Sequence, residues 1–131
     1  MHARSLAVAG LLTASLAFPA CSDEPDKAVL KAGERLFVKC RSCHSIDKDG
    51  GNMTGPNLWG VYGAKAGSNE EFPYSDAVKN SGIVWSDETI GKWLANPSTF
   101  LRGTKMAFIG LPNEQDRAAL LAYLKKKSSE E

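Results

Sequence analysis

At 131 residues, with 43% apolar side chains and a formal charge of +1, the chain has material for one compact core and none for a second domain. No basic stripe interleaved with aromatics is present, which argues against nucleic acid as a partner.

The N-terminal stretch MHARSLAVAGLLTASLAFPAC places Arg4 before an apolar run from Leu6 to Phe18 and then small residues, the anatomy of a secretory signal peptide. The run falls short of the roughly 20 apolar residues that a bilayer core requires. Two cleavage positions are open. Ala20 before Cys21 matches a bacterial lipoprotein box, although Phe18 and Pro19 depart from it. A cut after Ser22 instead discards the Cys21 thiol and leaves a soluble protein. The first has the edge, because Cys21 falls where the apolar run ends and SDEPDK can serve as a tether. Residues 1–22 are therefore assigned to a signal peptide, with a lipoprotein alternative ending at Cys21, and 23–131 to one domain.

Beyond the leader the pattern is helical, with no alternating β-branched run and no internal repeat. Asp26 is placed to cap a helix through about Lys39, with Leu30, Gly33, Leu36 and Phe37 on one face. Glycine inside a helix costs about 1 kcal/mol relative to alanine, so Gly33 marks a close helix crossing. A Gly/Asn/Pro-rich loop spans Ser45 to Asn69. YSDAVKNSG reads as a short helix stopped by Gly82. Ser86, Asp87 and Glu88 open another that Pro97 ends. The last helix begins at Asn113, turns Leu120, Leu121 and Leu124 inward, and finishes with Lys125, Lys126 and Lys127 at the negative end of its dipole. The fold class is all-α, with short helices and long loops that need something large and apolar to fill their centre.

That need directs attention to Cys40, Cys43 and His44 in CRSCH. A structural zinc site takes four ligands, and the only further cysteine and histidine are Cys21 and His2, in or beside the leader. A redox dithiol belongs at the start of a helix in a βαβ setting, whereas this pair follows a helix in an all-α chain. Covalent haem remains. Two thiols one turn apart reach two vinyl groups, and the next residue presents its imidazole to the iron. With His2 in the leader, the opposite iron face is left to a methionine, a lysine or an open position. Met106, in RGTKMAFIG, lies in a loop far along the chain from CRSCH, whereas Met53 follows His44 too closely to cross the width of a haem. A loop methionine usually fills core gaps, but CxxCH shifts the reading toward Met106 as a ligand. A thioether favours Fe(II), and filling both axial positions leaves no place for O₂ or peroxide.

From Lys31 to Lys127 the chain resembles the class I c-type cytochromes of mitochondrial type and their bacterial periplasmic relatives. The resemblance rests on GERLFVKCRSCH, TGPNLWGVYG, FPYSDAVKNSGIVW, WLANPSTFLRGTKMAFIGL and LLAYLKK, in that order and spacing. It implies a single domain wrapped around one covalently bound haem c, with the N- and C-terminal helices crossing. It also implies thioethers at Cys40 and Cys43 and axial ligands His44 and Met106. Pro56 would accept the second imidazole N–H through its carbonyl. Gly33 and Phe37 would pack on Leu120 and Tyr123, and Tyr74 and Trp85 would donate to a buried propionate.

Three positions depart from the family. Ala64 stands where an arginine is common near the propionates, and Val78 where an asparagine joins a buried water network. Trp93 replaces a tyrosine whose hydroxyl reaches the methionine sulfur, so that bond is either lost or rebuilt with an indole N–H. The ring of lysines is thin, with Lys39, Lys105 and Arg35 present but Met53, Ser98, Thr99, Pro112 and Asn113 uncharged. The expected role is a monomeric periplasmic electron carrier, not an enzyme, serving membrane or soluble redox proteins. A lipid on Cys21 would add membrane association. The alternative is a haem enzyme or a gas- or peroxide-responsive sensor in which Met106 dissociates.

Overall fold

The computed structural model describes residues 24–129. The leader, Cys21 and both candidate cleavage positions lie outside them. Among the described residues five helices follow in chain order: α1 (Lys27–Phe37), α2 (Asp76–Lys79), α3 (Asp87–Ala95), α4 (Pro97–Phe100) and α5 (Glu114–Lys127). Among the described residues the only pairing of extended chain is an isolated antiparallel bridge, Lys65 with Val84, flanked by bonds from Trp85 N to Ala64 O and Ala66 N to Ile83 O.

The caps explain where the helices begin. The carboxylate of Asp26 accepts from Ala28 N at 2.8 Å, Ser75 caps α2, and Ser86 forms a reciprocal box with Thr89 at α3. Asn113 accepts from Asp116 N at the head of α5. α1 stops two residues short of Lys39. The amides of Lys39 and Cys40 bond to the carbonyls three residues back, at 3.1 and 2.8 Å, so the chain tightens before it reaches the cysteines. Pro97 does more than end a helix. Asn96 is held extended ahead of the proline, with φ −164° and ψ 95°, where it closes α3 and caps α4 by accepting from Thr99 N.

The apolar faces of α1, α3 and α5 meet in one core built from Phe37, Ile90, Leu94, Leu120 and Leu124, joined by Ile46 and Leu111 from loops. Fully burying a leucine of this kind contributes about 1.5–3 kcal/mol. α1 crosses α5 at Gly33, where a Cβ would collide with the Ala119 carbonyl and lie 2.6 Å from Tyr123 Cβ. Phe37 stacks on Tyr123 with centroids 5.5 Å apart. The close neighbour of Gly33 is therefore the backbone of Ala119, while Leu120 turns wholly into the core. The terminal lysines of α5 also tie elements together: Lys125 pairs with Asp87 of α3 at 2.8 Å, and Lys126 with Glu24 at 2.7 Å.

Candidate functional site

CRSCH winds directly out of α1. The amides of Cys43 and His44 both bond to the Cys40 carbonyl at 3.0 Å, so the motif is one further turn anchored on Phe37. That turn sets the two thiols one turn apart and delivers the imidazole to Gly55 and Pro56. The thiols are unbridged and half-buried. Burial pushes the Cys40 thiol up to about 11, the nearby Cys43 adds to this, and Lys39 offsets part of it. Cys40 is therefore a neutral thiol at physiological pH.

His44 is fixed from two sides. Its Nδ1 lies 2.7 Å from the Pro56 carbonyl, which can only accept, so Nδ1 carries the proton and Nε2 keeps its lone pair. Burial lowers the imidazole pKa below 6.5, although the Pro56 bond works in the opposite direction. The ring lies against Gly55, where a Cβ would strike Cε1 and sit 2.6 Å from Nδ1 and 2.7 Å from Nε2. Gly55 is held in turn by its N–H to the Cys43 carbonyl at 2.7 Å. The loop carrying Pro56 is braced by Asn57, which takes its backbone N–H to Asn52 Oδ1 and its amide group to the carbonyls of Asp47 and Gly50. Further on, Gly60 N donates to Ser128 O at 2.8 Å and Tyr62 donates to Leu121 O at 3.1 Å, pinning the loop to α5. Sequence reasoning did not single out Gly55 or Asn57, although an Asn beside a Gly-Pro pair is a recognisable loop brace.

Met106 is half-buried in the extended segment before α5, and its N–H donates to Thr104 Oγ1 at 3.2 Å. Its sulfur accepts from Trp93 Nε1 at 3.1 Å, so of the two outcomes expected at this position the structure has the rebuilt bond. Met53 is 52% exposed. Tyr74 meets Phe72 edge-on at 4.8 Å, and burial raises its pKa, which keeps its hydroxyl a donor. Trp85 stands edge-on to Trp93 at 5.5 Å. Among the described residues neither the Tyr74 hydroxyl nor the Trp85 indole N–H has a protein acceptor. Val78 is buried and apolar.

The donors on offer are two thiols, one imidazole nitrogen and one thioether. Among the described residues no three of His, Cys, Asp and Glu converge as a metal cage would require. The two thiols one turn apart suit a macrocycle held covalently through its rim.

Comparison with known proteins agrees. The Cytochrome c family profile matches residues 30–128. A cytochrome c from Theileria annulata is 53% identical over 111 residues, covering 81% of this chain and 96% of its own. A cytochrome c2 from Rhodoblastus acidophilus is 48% identical over 93 residues, covering 71% and 87%. Among solved structures, cytochrome cH from Methylobacterium extorquens superposes with a TM-score of 0.68 at 41% identity, covering 74% of this chain and 97% of that one.

Proposed function

From the premise that this chain belongs to the cytochrome c family, and so binds one covalently attached haem c and works in haem-based electron transfer, we propose that it is a one-electron carrier with His44 and Met106 as axial ligands. When bound, the haem supplies the Fe(III)/Fe(II) couple. Cys40 and Cys43 tether it through two thioethers. Each S–H would add across one vinyl group, sulfur to one carbon and hydrogen to the other, so the neutral Cys40 thiol would bring every atom its thioether needs. Pro56 holds the His44 tautomer, and Tyr74 and Trp85 would donate to a propionate, the partner that both side chains lack among the described residues.

The observation that carries this reading is the His44 ring, seated on Gly55 with Nδ1 committed to Pro56 and Nε2 left basic. A methionine opposite it would fill the coordination sphere, which suits electron transfer and disfavours reaction with small oxidants. The partners are redox proteins, membrane-bound or soluble, and the carrier acts as a monomer. Its place is the periplasm, the compartment implied by the signal-like leader. Among the described residues no helix is long and apolar enough to cross a membrane. Nothing in the fold or the comparisons supports a lipid on Cys21, and intact mass separates an acylated Cys21 from a plain N-terminus at Asp23.

The decisive experiment is spectroscopic. The oxidised protein should show a long-wavelength sulfur-to-iron charge-transfer band, and the reduced protein should not bind carbon monoxide at neutral pH. Met106→Ala should abolish the band, lower the potential and admit carbon monoxide, whereas Met53→Ala should do none of these. Ready carbon monoxide binding by the wild type would replace the carrier with an enzyme or sensor in which Met106 leaves.

A further inference from the structure

Beside their crossing, α1 and α5 enclose a groove of about 340 Å³. Its floor is apolar, made by Leu30 and the ring of Tyr123, both half-buried. The stack on Phe37 and the contact of Tyr123 Cβ with Gly33 hold that ring in place, so the floor is preformed. The rim is cationic. Lys27 and Lys31 rise from successive turns of α1, and Lys126 and Lys127 close the other side from the end of α5. The α5 lysines suit the negative end of their helix dipole. Those of α1 do the opposite: Lys27 opens the helix and Lys31 follows one turn later, near its positive end, with no acidic residue in the first turn. Helix stability does not account for them. A carboxylate already sits at this rim, where Glu24 bonds to Lys126 at 2.7 Å and Lys27 adds to the attraction.

We propose that the α1–α5 groove docks an acidic, extended segment of a protein partner, at a place separate from the electron-transfer contact. This rests on the reading of the chain as a carrier that serves proteins, and not on the axial ligands. Side chains one helical turn apart have Cβ atoms about 5–6 Å apart, and alternate residues of an extended strand are about 6.5 Å apart. Two carboxylates separated by one residue therefore reach Lys27 and Lys31 together, while a neighbouring apolar side chain covers Leu30 and Tyr123. Glu34, next along the same face of α1, ends the positive strip and sets the length of the acidic run. A bilayer is the poorer match, because the apolar groups here are recessed instead of projecting. Roughly 9 Å of helix separates Lys31 from Phe37, on which the attachment turn is anchored, so a segment in the groove leaves Cys40 and Cys43 uncovered. The carrier is held at one end of α1 while electrons cross at the other. The groove's charges govern capture of such a segment, not the rate of the electron's passage.

The test titrates the haem-loaded protein with a labelled peptide, Glu-Leu-Glu-Leu-Glu, and with its glutamine counterpart. Amide NMR signals of residues 27–34 and 123–127 should shift with the glutamate peptide, and those of Cys40, Cys43 and His44 should stay still. Replacing Lys27→Gln and Lys31→Gln together should weaken binding about tenfold, the scale of two exposed ion pairs, and leave the haem spectrum unchanged. Glu34→Gln should tighten it. All three side chains are exposed, so the variants keep the fold. Absence of binding, equal binding of the glutamine peptide, or shifts centred on Cys40 and Met106 would each overturn the proposal. Phosphatidylglycerol vesicles that displace the peptide would make the groove a lipid surface and overturn it as well. Carbon monoxide binding by the wild type is a different failure: it removes the carrier reading and leaves the peptide titration as it was.

Discussion

At the scale of single residues, the site depends on a side chain that is missing. The His44 ring occupies the space that a Cβ on Gly55 would fill, and the Gly55 backbone is tied to Cys43 and cannot retreat. Gly55→Ala should therefore cost about 1–3 kcal/mol, the usual penalty of overpacking, read as a lower denaturation midpoint of the haem-loaded protein. An unaltered midpoint would show that the loop yields. His44 also predicts an acid response. Its folded pKa lies below 6.5, so between the two values the unfolded chain binds a proton that the folded chain refuses. Stability is then complete above 6.5 and declines as pH falls toward the lowered folded value. The chain contains two histidines, His2 and His44, and Glu24, whose carboxylate Lys126 holds below 4.5, responds only at lower pH. A pH series of unfolding midpoints should show this decline setting in as pH falls below 6.5, and a flat profile there would contradict it. Cys40, Cys43 and His44 were legible because their chemistry lies in local spacing. Gly55 was not, because the need for a glycine arises from a ring eleven residues upstream in sequence and pressed against it in space.

At the scale of elements, Gly33 sets two known magnitudes against each other. Gly33→Ala should gain about 1 kcal/mol in helix propensity, but the new methyl meets the Ala119 carbonyl and Tyr123 Cβ, neither of which is the free end of a flexible side chain. Overpacking of about 1–3 kcal/mol therefore wins, and thermal unfolding should show net destabilisation. A more stable variant would mean that the helices can separate at little cost. The glycine within an apolar helical face announced this crossing in the sequence, and the caps announced most helix starts. α4 went unread because Asn96 serves two helices at once: the Asn-Pro pair that starts α4 is the same pair that closes α3, and only its closing role was taken from the sequence.

At the scale of the whole molecule, the balance of charge governs encounter. Exposed Lys39, Lys105 and Arg35 offer a partner few cations, so the second-order rate of electron transfer should fall only shallowly as salt screens charges over a Debye length of about 10 Å at 0.1 M. Stopped-flow rates across ionic strength test this, and a steep decline would point to an electrostatic face built from other residues. The all-α class and the need for a central apolar group were readable from composition and loop length. The clasp of the Pro56 loop onto α5 through Gly60 and Tyr62 was not, since hydrogen bonds between a loop and the end of a distant helix leave no periodicity behind them.

The bond from Lys126 to Glu24 joins positions 102 residues apart, and the crossing of α1 on α5 has a similar span. A chain made from its N-terminus at roughly 5–20 residues per second presents Cys40 and Cys43 seconds before the helix that will cover α1 exists. Closure across so long a span is also entropically slow. The fold therefore has a built-in order of events: the attachment turn is available while the molecule is still open, and α5, made after it, is the helix that shuts it.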